Sequence, residues 1–253
     1  MSIDVFQAIL IGVVYYLGFN GTPWLTNLGA TIANRPLIAG TLVGYILGDP
    51  VTGCVIGAAI NLPFLATISA GGTVPMDPGL AGTIGTALAL AAGATPQVAV
   101  VLAVIVGFFG SKLFALRMTV DIKFLHMADK AAAEGDYRKL VFLNIVPPQL
   151  FLAFITVIPV ALVVYFGADI MTMAVKSLSA TPLHVLTVIG GILPAFGIAM
   201  NLRAIVSKNI ILFFLIGFIL QMYFHVPIIV ISIIGFIIAV FYIEHSMKNE
   251  GAR

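Results

Sequence analysis

Six polar side chains stand inside or at the edges of apolar runs, where a plain membrane anchor carries none: Asn20, Arg35, Asp49, Asn61, Asp77 and Asn201. Amides, carboxylates and a guanidinium in such places either hold a polar solute by hydrogen bonds or tie broken backbone together. Both uses stay open for Asn61, which is followed by Pro63 where its apolar run should be most buried. Asn20, with Thr22 and Asn27, lies in a turn-rich stretch and serves either local turn bonding or a ligand. Asp77, between Pro75 and Pro78, either caps the following helix, the favoured use of aspartate there, or binds substrate. Arg35 and Asp49 bracket one short apolar piece and either neutralise each other across its ends or sit in separate interfaces. Asn201, with Arg203 nearby, closes a glycine-rich stretch and is a candidate for the solute path or a partner face.

Bond-breaking chemistry finds no support. His126, His184, His225 and His245 are far apart and lack zinc-ligand spacing, and the glycines of 40–48 lack the lysine and hydroxyl of a phosphate cradle. The single cysteine, Cys54, excludes an internal disulfide and reads as a small packing residue. No cofactor or metal is expected, and the chain is not catalytic by itself; energy for any transport must come from a gradient or another subunit.

The elements that carry these residues are membrane segments. Hydrophobic residues make up 61% of the chain and charged residues 9%, too few polar groups to coat a water-soluble core of this size. The net charge of +2 gives no reason to expect nucleic acid. Apolar segments fall at 5–19, 36–48, 51–70, 80–93, 97–116, 140–166, 183–202, 209–226 and 227–243. The first has no basic start, with Asp4 in its place, and reads as a retained segment rather than a signal peptide. Segments 36–48 and 80–93 reach only about 20 Å as helix, short of the ~30 Å hydrocarbon core. They are expected to be half-helices, re-entrant hairpins or pieces of a broken helix, the kind of backbone that survives at membrane depth only inside protein or beside a wet cavity. The simpler alternative is short loops between tightly packed spans. In the second half, the run from Gly190 through Pro194 to Gly197 resembles a second interrupted helix.

Charge gathers in one place. Nine of the twenty-two charged residues lie between Arg117 and Lys139, five of them Lys or Arg, which places this segment on the cytoplasmic side. Val120, Phe124, Met127 and Ala131 recur at helical spacing, so 117–139 is expected to be an amphipathic interfacial helix ended near Gly135. It divides the chain into an N-terminal membrane half, 1–116, carrying the broken-helix element, and a C-terminal half, 140–253. The expected architecture is thus an all-α, multi-span membrane transporter subunit with broken or re-entrant helices.

The stretch from Arg35 to Asp49 (Arg-Pro-Leu-Ile-Ala-Gly-Thr-Leu-Val-Gly-Tyr-Ile-Leu-Gly-Asp), continued by Thr52-Gly53 and Ile56-Gly57, resembles the N-terminal signature of a known family. That family is the IIC component of the mannose/fructose/sorbose branch of the bacterial phosphoenolpyruvate-dependent sugar phosphotransferase system. The segment His126-Met-Ala-Asp-Lys-Ala-Ala-Ala-Glu-Gly135 resembles its central block, and Gly190-Gly191 through Met200 its second glycine-rich helix. The resemblance implies a multi-pass permease subunit of the bacterial cytoplasmic membrane that binds and moves a hexose or amino sugar. It implies an IID membrane partner, cytoplasmic IIA and IIB proteins that carry the phosphoryl group to the sugar, and trimers of IIC–IID pairs amid membrane lipid. It also implies that His126 is no phosphate carrier, since the phosphorylated histidines belong to IIA and IIB.

One departure bears on substrate. Mannose-type members carry glutamate where this chain has Asn61, and an amide both donates and accepts where a carboxylate only accepts. The resemblance therefore implies a preference shifted away from plain mannose or glucose, towards an amino sugar, an N-acetylated sugar or a ketose. Two other function classes stay open on the residues alone: an ion- or proton-coupled sugar transporter, and a membrane receptor or scaffold that transports nothing.

Overall fold

A computed structural model describes residues 2–19, 32–65, 76–205 and 210–250. Asn20, Thr22 and Asn27 lie outside them. The described residues form helices α1 (Val5–Gly18), α2 (Pro36–Leu47), α3 (Pro50–Phe64), α4 (Pro78–Ala92), α5 (Pro96–Ala133), α6 (Tyr137–Ser177), α7 (Ala180–Ile205), α8 (Ile210–Phe224) and α9 (Ile228–Glu250). Each apolar segment of the sequence became one helix. Three of these helices, α5, α6 and the described α7, are long and apolar enough to cross a membrane alone.

Four helices begin on proline: Pro36, Pro50, Pro78 and Pro96 each occupy the first turn. Proline there gives up no intrahelical hydrogen bond and pre-sets the backbone. Asp49 and Asp77 stand just before two of these prolines, and their carboxylates accept from the backbone N–H of Thr52 and Leu80, each at 3.0 Å. Gly48 and Gly135 end α2 and α5 in left-handed backbone, at φ 89° and 73°, which side chains rarely adopt.

The helices form two compact units, Met1–Met200 and Asn201–Arg253. In the first, α4 is the axis: α1, α2, α3, α5 and α6 all pack against it. From Gly79 to Ala89 every residue of α4 is buried, an arrangement that suits a helix built of Gly, Ala, Thr and a few Leu and Ile. One apolar core joins Ile11 and Tyr15 of α1, Val43 of α2, Ile84 of α4 and Leu152 and Val164 of α6. Another joins Ile56, Ile60 and Phe64 of α3 to Ala81 and Ala89 of α4 and Val100 of α5, with Leu193 of α7 against it.

Two expectations change here. The segment 117–139 is no separate interfacial helix, because α5 runs unbroken for 38 residues to Ala133, turns at Gly135, and α6 then starts at Asp136, whose carboxylate accepts from Lys139 N–H. Hydropathy falls at Arg117, but backbone hydrogen bonding does not depend on hydropathy, and α5 continues to Ala133, just before the left-handed Gly135. Nor does this segment separate the packing into halves. Helix α6 packs on α1, α4 and α5, and Gly12 of α1 lets the α1 and α6 backbones touch, with Val157 O 2.7 Å from where a Cβ would stand.

The second unit holds α8 and α9, which pack as a hairpin across His225-Val226-Pro227, with Phe213 and Tyr242 in edge-on contact.

Candidate functional site

The α2–α3 hairpin is set by its glycines. Gly40 and Gly44 on α2 face Gly57 and Gly53 on α3, each pair centred on the turn at Gly48–Asp49. A Cβ on Gly40 would stand 2.7 Å from Gly57 Cα, and one on Gly53 would stand 2.6 Å from Gly44 Cα. The two backbones are in direct contact, as small-xxx-small pairs allow in membranes. Carried to the open end of the hairpin, the same register brings the start of α2 beside the last turn of α3, where Gly57 meets the carbonyl of Pro36.

At that open end lies a cavity of about 370 Å³ lined by Ile32, Arg35, Leu37, Ile38, Asn61 and Leu65. The Oδ1 of Asn61 is buried and has no hydrogen-bond partner. Such an atom costs about 1–3 kcal/mol until something donates to it. Pro63, two residues on and inside the helix, has no N–H to give the carbonyl four residues back, so the local backbone also has an acceptor in excess. Arg35 is exposed at the cavity mouth and brings a cation and a fan of donors. The lining is thus an amide, a guanidinium and apolar walls.

The other expected residues fall in different places. Arg35 and Asp49 are not ion-paired to one another: the twelve residues of α2 hold them about 18 Å apart, and Asp49 is occupied at the exposed hairpin turn as the cap of α3. Asp77 is 4% exposed. Its Oδ1 takes the Leu80 N–H and its Oδ2 takes the Tyr15 hydroxyl at 2.6 Å, so its carboxylate caps α4 and ties it to α1. Gly110 of α5 has its Cα where a Cβ would run into Asp77, and the Asp77 N–H donates to Gly107 O at 2.9 Å. The glycine-rich run of α7 reaches the same region: Gly197 lies over Pro63, with Leu62 O 2.7 Å from where its Cβ would be, and Gly190 lies over the Gln97 carbonyl. Asn201 has its backbone in α7, one turn beyond Gly197, and its side chain is outside the described residues.

Sequence reasoning missed Asn34 and Thr86, whose Oδ1 and Oγ1 are also buried without partners. Asn34 closes on Gly79 at the start of α4. Its position one residue before the Arg35-Pro36 pair was the available signal. Thr86 gave none, since a threonine inside an apolar helix ordinarily bonds its own backbone, as Thr83 does to Gly79 O at 2.8 Å.

The geometry is that of a helical membrane protein with a glycine-rich hairpin beside a small cavity lined by an amide, a guanidinium and aliphatic side chains. Residues 5–241 match the family model described as the sorbose-specific IIC component of the phosphotransferase system. The mannose-specific EIIC component of Escherichia coli (strain K12) is 30% identical over 98% of this chain and 92% of its own length. The sorbose-specific EIIC component of Lacticaseibacillus casei is 31% identical over 98% and 88%. Two solved chains, each 27% identical with 96% of this chain and 97% of theirs covered, superpose with TM-scores of 0.84 and 0.59. The first is titled only as a membrane protein, and the second is from the mannose transporter ManYZ in complex with microcin E492. The chain belongs to the sorbose-type IIC family of the phosphotransferase system. It is a multi-pass permease subunit of the bacterial inner membrane.

Proposed function

We propose that the cavity at the open end of the α2–α3 hairpin is the sugar site of this permease subunit, with Asn61 bonding a ring substituent and Arg35 guarding the mouth. The observation that carries the reading is the buried, partnerless Oδ1 of Asn61, a residue that lines a cavity of monosaccharide scale together with Arg35 and aliphatic side chains. An amide there accepts from a hydroxyl and donates to a carbonyl or ring oxygen, which suits an amino sugar, an N-acetylated sugar or a ketose. The chain works with an IID membrane partner, in trimers of such pairs, and presents the sugar to IIB, which IIA has phosphorylated. Asp77 belongs to the support of the site, since its carboxylate is occupied by Tyr15 and Leu80. Asn20 and Asn201 belong to the reading as sugar-contacting amides on their sequence positions alone.

The test is phosphoenolpyruvate-dependent uptake by the reconstituted IIC–IID pair with cognate IIA and IIB. Asn61→Ala is expected to raise KM by about tenfold to a hundredfold, the loss of one or two buried hydrogen bonds, and Asn61→Asp to reorder preference among mannose, sorbose and an N-acetylated hexosamine. Unchanged uptake and preference in a normally assembled complex would sink the reading. Uptake that persists without phosphoenolpyruvate would instead mean coupling to an ion gradient.

A further inference from the structure

A second polar cavity lies far from Asn61 in sequence and shares none of its lining. The turn at Gly135 folds α6 back along α5, so that Asp121 and Gln149, fourteen residues before and after it, line one cavity of about 370 Å³. Arg117, Phe124, Leu143 and Asn144 line it too. The side chains of Arg117 and Asp121 are 12% and 24% exposed, and Arg117 Nε donates to Asp121 Oδ2 at 3.1 Å. The guanidinium also lies 5.4 Å from the centre of the Phe19 ring. The Tyr16 hydroxyl donates to Gln149 Oε1 at 2.9 Å, which fixes the orientation of that amide.

What this arrangement leaves over is Asp121 Oδ1, buried and without a partner. A carboxylate oxygen takes only a donor. Arg117 and Asp121 are the only ionic groups in the lining and already neutralise each other, so nothing is left to attract a net charge. The remaining walls are one aromatic ring, aliphatic side chains and two amides. A ligand that suits them is uncharged, donates a hydroxyl and has apolar faces to lay against Phe124 and Leu143: a single sugar ring. A phosphorylated sugar does not suit them, because the free carboxylate oxygen repels it and the one cation is already engaged. The cluster of Lys and Arg in 117–139 puts this end of α5 on the cytoplasmic side.

We propose that the α5–α6 cavity is a second monosaccharide site, in which Asp121 holds the sugar on the cytoplasmic side before it is phosphorylated and from which the phosphorylated product is rejected. It rests on the chain's role as a sugar permease but not on Asn61. The shared chemistry is a hydroxyl donor, which the terminal glycerol of phosphatidylglycerol also supplies where its phosphate stays outside the cavity.

The test uses the full IIC–IID complex in phosphatidylcholine nanodiscs, with Cys54→Ser and with Met118→Cys as a reporter on the cavity wall. Met118 is 41% exposed, so a maleimide can reach it. Labelling rates are measured with mannose, sorbose or an N-acetylated hexosamine, with the matching sugar phosphates, and in discs containing phosphatidylglycerol. The expected result is that at least one free sugar slows labelling, its phosphate does not, and Asn61→Ala keeps the protection. Asp121→Asn is expected to raise the half-protecting sugar concentration by about tenfold, the loss of one hydrogen bond to a charged acceptor. Asn144→Ala, which removes no hydrogen bond of the fold, is expected to raise it less and serves if Asp121→Asn does not assemble. Absence of protection by every sugar overturns the proposal, as does protection lost in Asn61→Ala but kept in Asp121→Asn. Slowing by phosphatidylglycerol alone, with no further effect of sugar, assigns the cavity to lipid and also overturns it. Failure of the Asn61 site would show in uptake kinetics and leave the labelling of residue 118 untouched.

Discussion

The chain contains two short helical hairpins of opposite construction. In α2–α3 the contact is glycine on glycine, backbone against backbone, and both ends carry polar groups with definite places. In α8–α9 the contact is made by bulky side chains; a Cβ on Gly217 would meet only Ile231 at 3.7 Å, and one on Gly235 would meet nothing. Many of the large apolar residues of α8 and α9, among them Phe213, Phe218, Ile229 and Phe236, are exposed. The first hairpin has no slack and holds a cavity to shape. The second offers apolar surface. In a membrane, where apolar burial adds little between helices, close backbone packing is what fixes the shape of the first hairpin.

The contrast can be broken most sharply at Gly53. Gly53→Val drives a branched side chain into Gly44 and is expected to cost about 3 kcal/mol or more, seen as a large drop in the melting temperature of the purified complex. A normal melt would mean that the hairpin opens without penalty. Next comes the support beneath it. Asp77→Ala removes the cap of α4 and the partner of Tyr15, for an expected loss of about 2–3 kcal/mol. Tyr15→Phe alone should cost about 1 kcal/mol, and a double-mutant cycle between the two should show coupling; strict additivity would mean that the 2.6 Å bond carries no weight. Asp49→Ala, at the exposed turn, is expected to cost about 1 kcal/mol as a lost cap while uptake stays intact. The smallest effect belongs to the second hairpin: Gly235→Ala should leave the melt unchanged or raise it by the helix preference of alanine, up to about 1 kcal/mol.

Much of this was legible in the residues. The apolar runs at 36–48, 51–70, 80–93 and 97–116 announced α2, α3, α4 and α5, and Asp77 between two prolines announced the cap of α4, whereas the cap at Asp49 was not foreseen. Short apolar length announced that α2 and α4 are helices of only 12 and 15 residues. Three things were not legible, each for a physical reason. The pairing of Arg35 with Asp49 failed on helix rise, which separates residues close in sequence. The division at 117–139 failed because hydropathy marks where a helix meets water and says nothing of where it ends. The α5–α6 cavity could not be read at all, because Asp121 and Gln149 meet only through a turn whose left-handed glycine sets the register of two helices of 38 and 41 residues. Asn61 stood out from the start as an amide in an apolar run, but its missing partner is a property of the packed molecule.

The enclosure of α4 also has a consequence for biosynthesis. Its neighbours on the chain arrive in order, and the last of them, α6, is complete only when residue 177 has been made. Until then a fifteen-residue apolar helix, with Asp77 at its head, lacks the length to span the bilayer alone. The nascent chain must therefore hold its own central helix in waiting, and a polypeptide released before Tyr137 leaves the ribosome with its axis unprotected.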